Sequence, residues 1–263
     1  MPGRLYFVYD GISSLRYGLW VGKVNQSADS NLEMQQPYSY ELDLSRTTHE
    51  ARVVSRAYEE TFQFEMEVVC DEEIPDYAER EILRWLTDSP VFKKLQFFNR
   101  GNGSTPYDQT YYNSILTAPE RIDVAGNTVG WKFTVIADAP YAWTNEKTYQ
   151  YNTSTADSFI VDNRSDEPYY TYPHVTINVG STGGSLRLNN LTTGEQIAFN
   201  DVAANDVITV DPYMQITSEK NGNIYDSASG KIRLIQGRNQ FQRTGDISSV
   251  VFSYRDARRV GFR

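Results

Sequence analysis

The sequence predicts a mainly β protein in two parts, and three observations carry that reading. Aromatic residues make up 13% of the 263 residues, led by 19 tyrosines, and with Thr, Val and Ile they favour pleated, half-buried surfaces. Apolar and polar positions alternate along most of the chain, whereas a helical period appears once. The length exceeds the roughly 100 to 200 residues of an ordinary domain. The chain also changes character around ADAPYAWTNEK (Ala137–Lys147), where Pro140, Tyr141 and Trp143 close a strand-like run. The expected first domain, 1–143, is β-sandwich-like with one helix; the second, 144–263, is a β-sandwich or jelly roll without helix.

Each element follows from local pattern. RLYFVY (4–9) and LWVGKV (19–24) flank DGISSLRYG, whose Gly and Ser residues mark a turn. YSYELDLS (38–45) alternates, and TFQFEMEVV (61–69) does so more cleanly, placing Phe62, Phe64, Met66 and Val68 on one face with acids opposite. After DEEIP the period changes: Ala78, Ile82, Trp85 and Leu86 form a helical stripe, which predicts a helix over 76–87. Pro75 suits its first turn, and Asp71, Glu72 and Glu73 suit the positive end of its dipole. KKLQFF (93–98), YYNSILTAPERIDV (111–124) and VGWKFTVIA (129–137) complete the first domain as strands. Beyond Trp143 come roughly eight short strands: SFIV, HVTINV, SLRLNN, EQIAF, DVITV, YMQIT, KIRLIQG and SVVFSYR, with LTTGEQ as a hairpin turn.

Charge is unevenly spread. Lys and Arg number 13 against 21 Asp and Glu over 1–145, and 12 against 13 over 146–263, so nearly all of the net −9 lies in the first half. Such a surface repels phosphate, which argues against gripping nucleic acid but not against letting it pass. A single cysteine, Cys70, excludes an intrachain disulfide and a cysteine-built metal site. MPGRLYFVYDG has no basic segment before an apolar core, and no apolar run approaches the ~20 residues of a membrane span, so the expectation is a soluble protein made in a cytoplasm.

The search for chemistry finds no site. His49 and His174 are far apart and lack a ligand spacing, so no metal site is expected; His49 falls in a loop and His174 at a solvated strand edge. GSTGGS (Gly180–Ser185) is no nucleophile elbow, Cys70 reads as a small buried side chain, and GNGST (Gly101–Thr105) is a loop tip rather than a phosphate cradle. The 34 acids lie mostly on alternating polar faces, which does not suggest the paired carboxylates of a glycosidase. Tyr169, Tyr170 and Tyr172 could stack on sugar rings, although packing beside Pro168 and Pro173 is the simpler reading. The basic stretch Lys231–Arg263, eight Lys and Arg against two acids, reads as a solvated strand face. No catalytic residue, cofactor-binding residue or metal ligand is assigned, and an enzyme is not expected.

Several segments, in order, resemble one family. FVYDGISSLRYGLWV resembles the opening of distal tail proteins of long-tailed, non-contractile bacteriophages. EREILRWLTD with KKLQFF resembles their one prominent helix and the strand after it, ADAPYAWTNE their proline-aromatic junction, and IRLIQGRNQFQRTGDISSVVFSYRDARR their C-terminal pattern with its G-x-N turn. The resemblance implies a tail-tip or baseplate hub in the virion, assembled in the host bacterial cytoplasm. Its first domain would form a homo-hexameric ring joining the tail tube protein to the tail-associated lysin or fibre hub protein, in some members holding receptor-binding proteins. A galectin-like or carbohydrate-module-like second domain would be set by the aromatic elbow, and DNA would pass through an acidic channel without specific binding. The main rival is a carbohydrate-binding module for host cell-surface glycans.

Overall fold

The computed structural model describes residues 5–25, 38–44, 51–58, 62–99, 110–152, 157–166 and 170–258. The chain divides into two compact units, one running to Trp143 and the other Thr144–Arg258.

The first unit holds β1 (Leu5–Tyr9), β2 (Ile12–Ser13), β3 (Leu19–Asn25), β4 (Tyr38–Leu44), β5 (Ala51–Tyr58), β6 (Gln63–Cys70), α1 (Asp76–Thr87), β7 (Lys93–Asn99), β8 (Thr110–Val124) and β9 (Asn127–Ala137). Strand β10 (Ala142–Thr144) follows. Six strands close on themselves: β1 pairs with β3, β3 with β6, β6 with β9, β9 with β8, β8 with β7, and β7 with β1, all antiparallel. The expected sandwich-like sheet is therefore barrel-like, and closure removes free edges. The pair β4–β5 forms a separate two-stranded sheet. Strand β5 is absent from the pattern reading because ARVVSRAY lacks clean alternation.

Alternation decides what fills the barrel. Phe7 and Tyr9, Phe64, Met66 and Val68, and Trp131, Phe133 and Val135 are buried in one cluster, with Phe62 only half-buried. Helix α1 adds Ile82 and Leu86 to this core, while Ala78 and Trp85 are half-buried beside it. Pro75 sits one residue earlier than expected, as the N-cap, and its carbonyl accepts the Ala78 and Glu79 N–H groups at 2.9 and 3.0 Å. Gly130 on β9 faces Val69 of β6 and Ile122 of β8 so closely that a Cβ would collide with the Val68 carbonyl. Gly130→Ala is therefore expected to cost about 2 kcal/mol, read by chemical denaturation, because packed backbone rather than a side chain must move.

The second unit holds β11 (Lys147–Asn152), β12 (Ser158–Asn163), β13 (His174–Val179), β14 (Gly184–Asn190), β15 (Glu195–Val202), β16 (Val207–Val210), β17 (Ile216–Ser218), β18 (Gly222–Asn223), β19 (Ala228–Gly230), β20 (Gly237–Thr244), β21 (Ile247–Tyr254) and β22 (Ala257–Arg258). A six-stranded sheet, β11-β21-β13-β16-β17-β18, and a five-stranded sheet, β12-β20-β14-β15-β19, share one core that includes Val175, Ile177, Leu188, Ile197, Phe241 and Phe252. The LTTGEQ hairpin is present, with Asn190 opposite Glu195.

One expected strand is corrected. KIRLIQG (231–237) is not a strand of its own: Leu234 pairs with Thr171 as a bridge, and Gly237 already opens β20. Ile232 and Leu234 are buried, which produces the alternation, while the backbone is held by the Lys231 N–H on the Gln196 carbonyl of β15, by the Thr171 bridge and by asparagine side chains. Asn239, fully buried, donates to the Ile235 and Gly237 carbonyls at 2.8 and 3.0 Å and accepts the Ile235 N–H at 2.9 Å. Asn190 donates to the Arg233 carbonyl at 3.0 Å, and Asn163 to the Ile235 carbonyl at 3.2 Å. The G-x-N turn thus has a physical role: Gly237 takes φ +90°, and Asn239 ties the irregular segment to the start of β20.

Candidate functional site

No residue was assigned to catalysis, and the described residues contain no group of three His, Cys, Asp or Glu side chains able to hold a metal ion. No helix among them is long and apolar enough to cross a membrane. His49, Tyr169, Pro168 and the loop Gly101–Thr105 lie outside the described residues. His174 is not at a sheet edge. It begins β13, which lies between β21 and β16, and is half-buried. Cys70 is half-buried at the end of β6, its thiol 4.0 Å from the Tyr17 carbonyl oxygen.

The remaining candidates are surfaces, and the acidic first unit is the most charged. On the barrel exterior Lys132 of β9 pairs with Glu65 of β6 at 2.7 Å. That hydrogen bond, with the charges of Glu65, Glu120 and Glu67 added, raises the Lys132 pKa. Helix α1 is tied down by its acids: Glu79 pairs with Arg121 of β8 at 2.5 Å, and Glu81 accepts the Tyr17 hydroxyl at 2.8 Å. Asp71, Glu72, Glu73 and Asp76 stand exposed around the start of the helix. Part of the acidity is thus structural glue, and the rest faces solvent.

At the junction, Tyr141 and Trp143 pack on each other, ring centres 4.8 Å apart and nearly perpendicular, and the Trp143 indole N–H reaches Asp138 at 3.4 Å. Both rings are half-buried, while the neighbouring Ala142 and Thr144 are buried. The second unit begins with a polar clasp that pattern reading misses. Thr144 exchanges two hydrogen bonds with Asp256, its N–H to the carbonyl at 2.9 Å and its hydroxyl oxygen to the Asp256 N–H at 3.0 Å. The fully buried Asp256 carboxylate pairs with Lys147, and Arg258 stands 3.4 Å away. No sequence pattern announces a pair 109 residues apart.

Three arginines of the basic stretch after Lys231 are paired with acids. Arg233 pairs with Glu195 at 2.7 Å, Arg243 with Asp157 at 2.9 Å and Arg258 with Asp166 at 3.2 Å. Tyr170 has the Arg233 guanidinium 3.3 Å from its ring centre, so one of its faces is taken. The GSTGGS loop wraps a carboxylate: Asp246 accepts the Thr182 hydroxyl, the Thr182 N–H at 2.6 Å and the Gly183 N–H at 3.3 Å. The Thr182 side-chain bond, followed by its backbone bond, holds the Asp246 pKa below the ordinary 3.8. A depressed carboxylate contributes stability above its unfolded pKa and loses it as pH falls through the folded value. Asp246→Asn is thus expected to lower the melting temperature at pH 7, with the gap to the parent protein closing below about pH 4, in melts run from pH 7 to pH 2.5.

Two tyrosine hydroxyls close the exposed edge of the five-stranded sheet. Tyr151 donates to the Ile160 carbonyl and Tyr254 to the Asp162 carbonyl, the latter at 2.8 Å. Burial raises both tyrosine pKa values, so both stay neutral donors. Strand β12, which carries these carbonyls, ends its sheet, so its edge is shielded from pairing with another chain.

Two family descriptions match consecutive parts of the chain. "Phage tail protein N-terminal domain" matches residues 4–139, and "Phage tail C-terminal domain" matches residues 141–254. The chain belongs to this phage tail protein family. No curated protein sequence matches it. Among solved structures, the Dit protein of phage SPP1, described as a paradigm of the hub adsorption apparatus in phages infecting Gram-positive bacteria, is similar with a TM-score of 0.69 and 14% identity. That match covers 95% of this chain and 98% of the Dit chain. A chain of the phage P2 baseplate in its activated conformation with Ca is similar with a TM-score of 0.50 and 11% identity, covering 99% of each chain. At these identities the likeness concerns the fold, which is that of a Dit protein.

Proposed function

We propose that this tail protein is the hub of a phage tail tip. Six copies of the first unit close into a ring that continues the tail tube, and the opposite side of the ring receives a tail-associated lysin or fibre hub protein. The second unit offers surface to receptor-binding proteins. The segments 1–143 and 144–263 act as two domains, assembly takes place in the host cytoplasm, and the chain performs no chemistry of its own. The observation that carries the reading is the pairing of tail-protein family matches over both halves with a Dit fold across 95% of the chain.

Charge supports a channel. The first half carries −8 per copy, so six copies around a bore would present acidic walls, past which a polyanion moves without sticking. Negative-stain micrographs of the purified protein, alone and mixed with its tail tube protein, test the proposal. Six-fold rings or stacked tube-hub assemblies are expected; a protein that stays monomeric at high concentration and ignores the tube protein overturns it.

A further inference from the structure

The two sheets of the second unit end in four outer strands, and three of them are guarded. β18 is two residues long and β19 three, too short to template a further strand. β12 is six residues long, but the Tyr151 and Tyr254 hydroxyls occupy its Ile160 and Asp162 carbonyls. β11 carries no such device. Its six residues pair with β21 without a bulge, from Lys147 opposite Tyr254 to Asn152 opposite Ser249. KTYQYN contains no proline, and its one charge, the Lys147 ammonium, is turned onto the buried Asp256 carboxylate. Among the described residues no strand pairs with the other side of β11. Alternate residues of an antiparallel outer strand point N–H and C=O away from their neighbour, so β11 offers a regular row of donors and acceptors about 20 Å long.

We propose that β11 is a docking edge that takes an extended segment of another protein as an added strand. In such an arrangement backbone hydrogen bonds supply the affinity, and side chains alternating along the edge supply the choice of sequence. On the inward side Tyr149 and Tyr151 are half-buried, their rings stacked on Tyr254 at 5.8 Å and on Phe159 at 4.3 Å, so the guest meets aromatic surface at every second residue. On the outward side Thr148 and Gln150 are exposed and uncharged. The guest is thus a segment of about six residues in which apolar side chains, set toward the tyrosines, alternate with neutral polar ones. Pairing of β11 with the β11 of a second copy requires a two-fold axis, and neighbours in a six-fold ring are not related by one. On that point the choice of guest rests on the hub reading, whereas the open edge does not.

Amide NMR of the full chain with two capped synthetic hexapeptides tests it, one alternating valine with threonine and the other tyrosine with glutamine. A fully N-methylated copy of each keeps the side chains and removes every backbone donor. Weak, millimolar binding of the unmodified peptides is expected, with shifts of the β11 amide signals. The methylated copies are expected to bind at least about tenfold more weakly, because the added strand is held through its backbone. Silence from both peptides, equal binding of the methylated copies, or shifts confined to strands other than β11 each overturns the proposal. Shifts of the β11 amides that grow with protein concentration in the absence of peptide overturn it in favour of self-pairing. Ring formation is read separately by microscopy: a monomer that binds the peptides through β11 removes the hub reading and keeps the open edge, and a ring that ignores them does the reverse.

Discussion

Lys147→Met is expected to destabilise the second unit by about 3 kcal/mol, the lower end of the range for breaking a buried ion pair. The side chain it removes faces the Asp256 carboxylate, which has no solvent-exposed surface and whose Oδ1 atom already lacks a hydrogen-bond partner. Arg258 remains 3.4 Å from the other oxygen, but its guanidinium is shared with Asp166, so it compensates only in part. The cost arises from leaving a buried charge unpaired rather than from losing an attraction, and that distinction can be measured. Replacing Asp256 by Asn removes the charge while keeping the shape. The double variant Lys147→Met, Asp256→Asn should therefore be more stable than the sum of the two single losses predicts, by about 2 kcal/mol in a urea-denaturation cycle. Equal and additive losses would show that the pair is not coupled.

How far the sequence reveals this fold depends on whether the buried face is apolar. Helix α1 matches the expected 76–87 because Ile82 and Leu86 repeat at the helical period and both are buried. β6, β9 and β13 are readable for the same reason, at period two. β20 is not, because its inward positions, Asn239, Phe241 and Arg243, include only one apolar residue. Its core-facing asparagine is satisfied by the backbone of 235–237, a partner that no local pattern exposes. The false strand at Lys231–Gly237 is the mirror image: buried Ile232 and Leu234 imitate a strand, although Leu234 pairs with Thr171 only as a bridge and the Arg233 and Ile235 carbonyls bond to asparagine side chains. β11 was hidden in KTYQYN, where tyrosines occupy the inward positions and polar residues the outward ones. Barrel closure is invisible for a different reason, since the β1–β7 pairing joins segments about 90 residues apart and depends on register.

The same limit applies to function. In a sheet protein a surface or a buried pair is defined by which residues line up across strands, not by which stand next to each other in the chain. Thr176, Thr209 and Thr217 are scattered in sequence and adjacent in the sheet. Asp256 and Lys147 are scattered likewise, and no motif marks them. What the sequence does carry is the charge asymmetry between the halves, because that requires counting only.

Trp85→Ala is expected to cost the first unit about 4 kcal/mol, within the range for truncating a packed tryptophan to alanine. Trp85 stacks on Phe7 with ring centres 5.8 Å apart and planes within 3°, and meets Tyr17 at 5.4 Å. Its indole N–H donates to the Tyr9 carbonyl at 3.1 Å, so one side chain joins α1 to β1 and to the turn after it by both stacking and hydrogen bonding. Trp85→Phe separates the two contributions: it keeps most of the stack and loses the donor, and should cost about 1 to 2 kcal/mol. Urea denaturation of both variants gives the comparison. If the first unit is the ring-forming part, the alanine variant has a second consequence, since α1 carries Tyr77 and a band of exposed charge on its outer side and its position would be loosened. Rings formed by Trp85→Phe but not by Trp85→Ala, at a temperature where both remain folded, would place the helix in the contact between copies. Rings formed equally by both would assign that contact to the barrel strands instead.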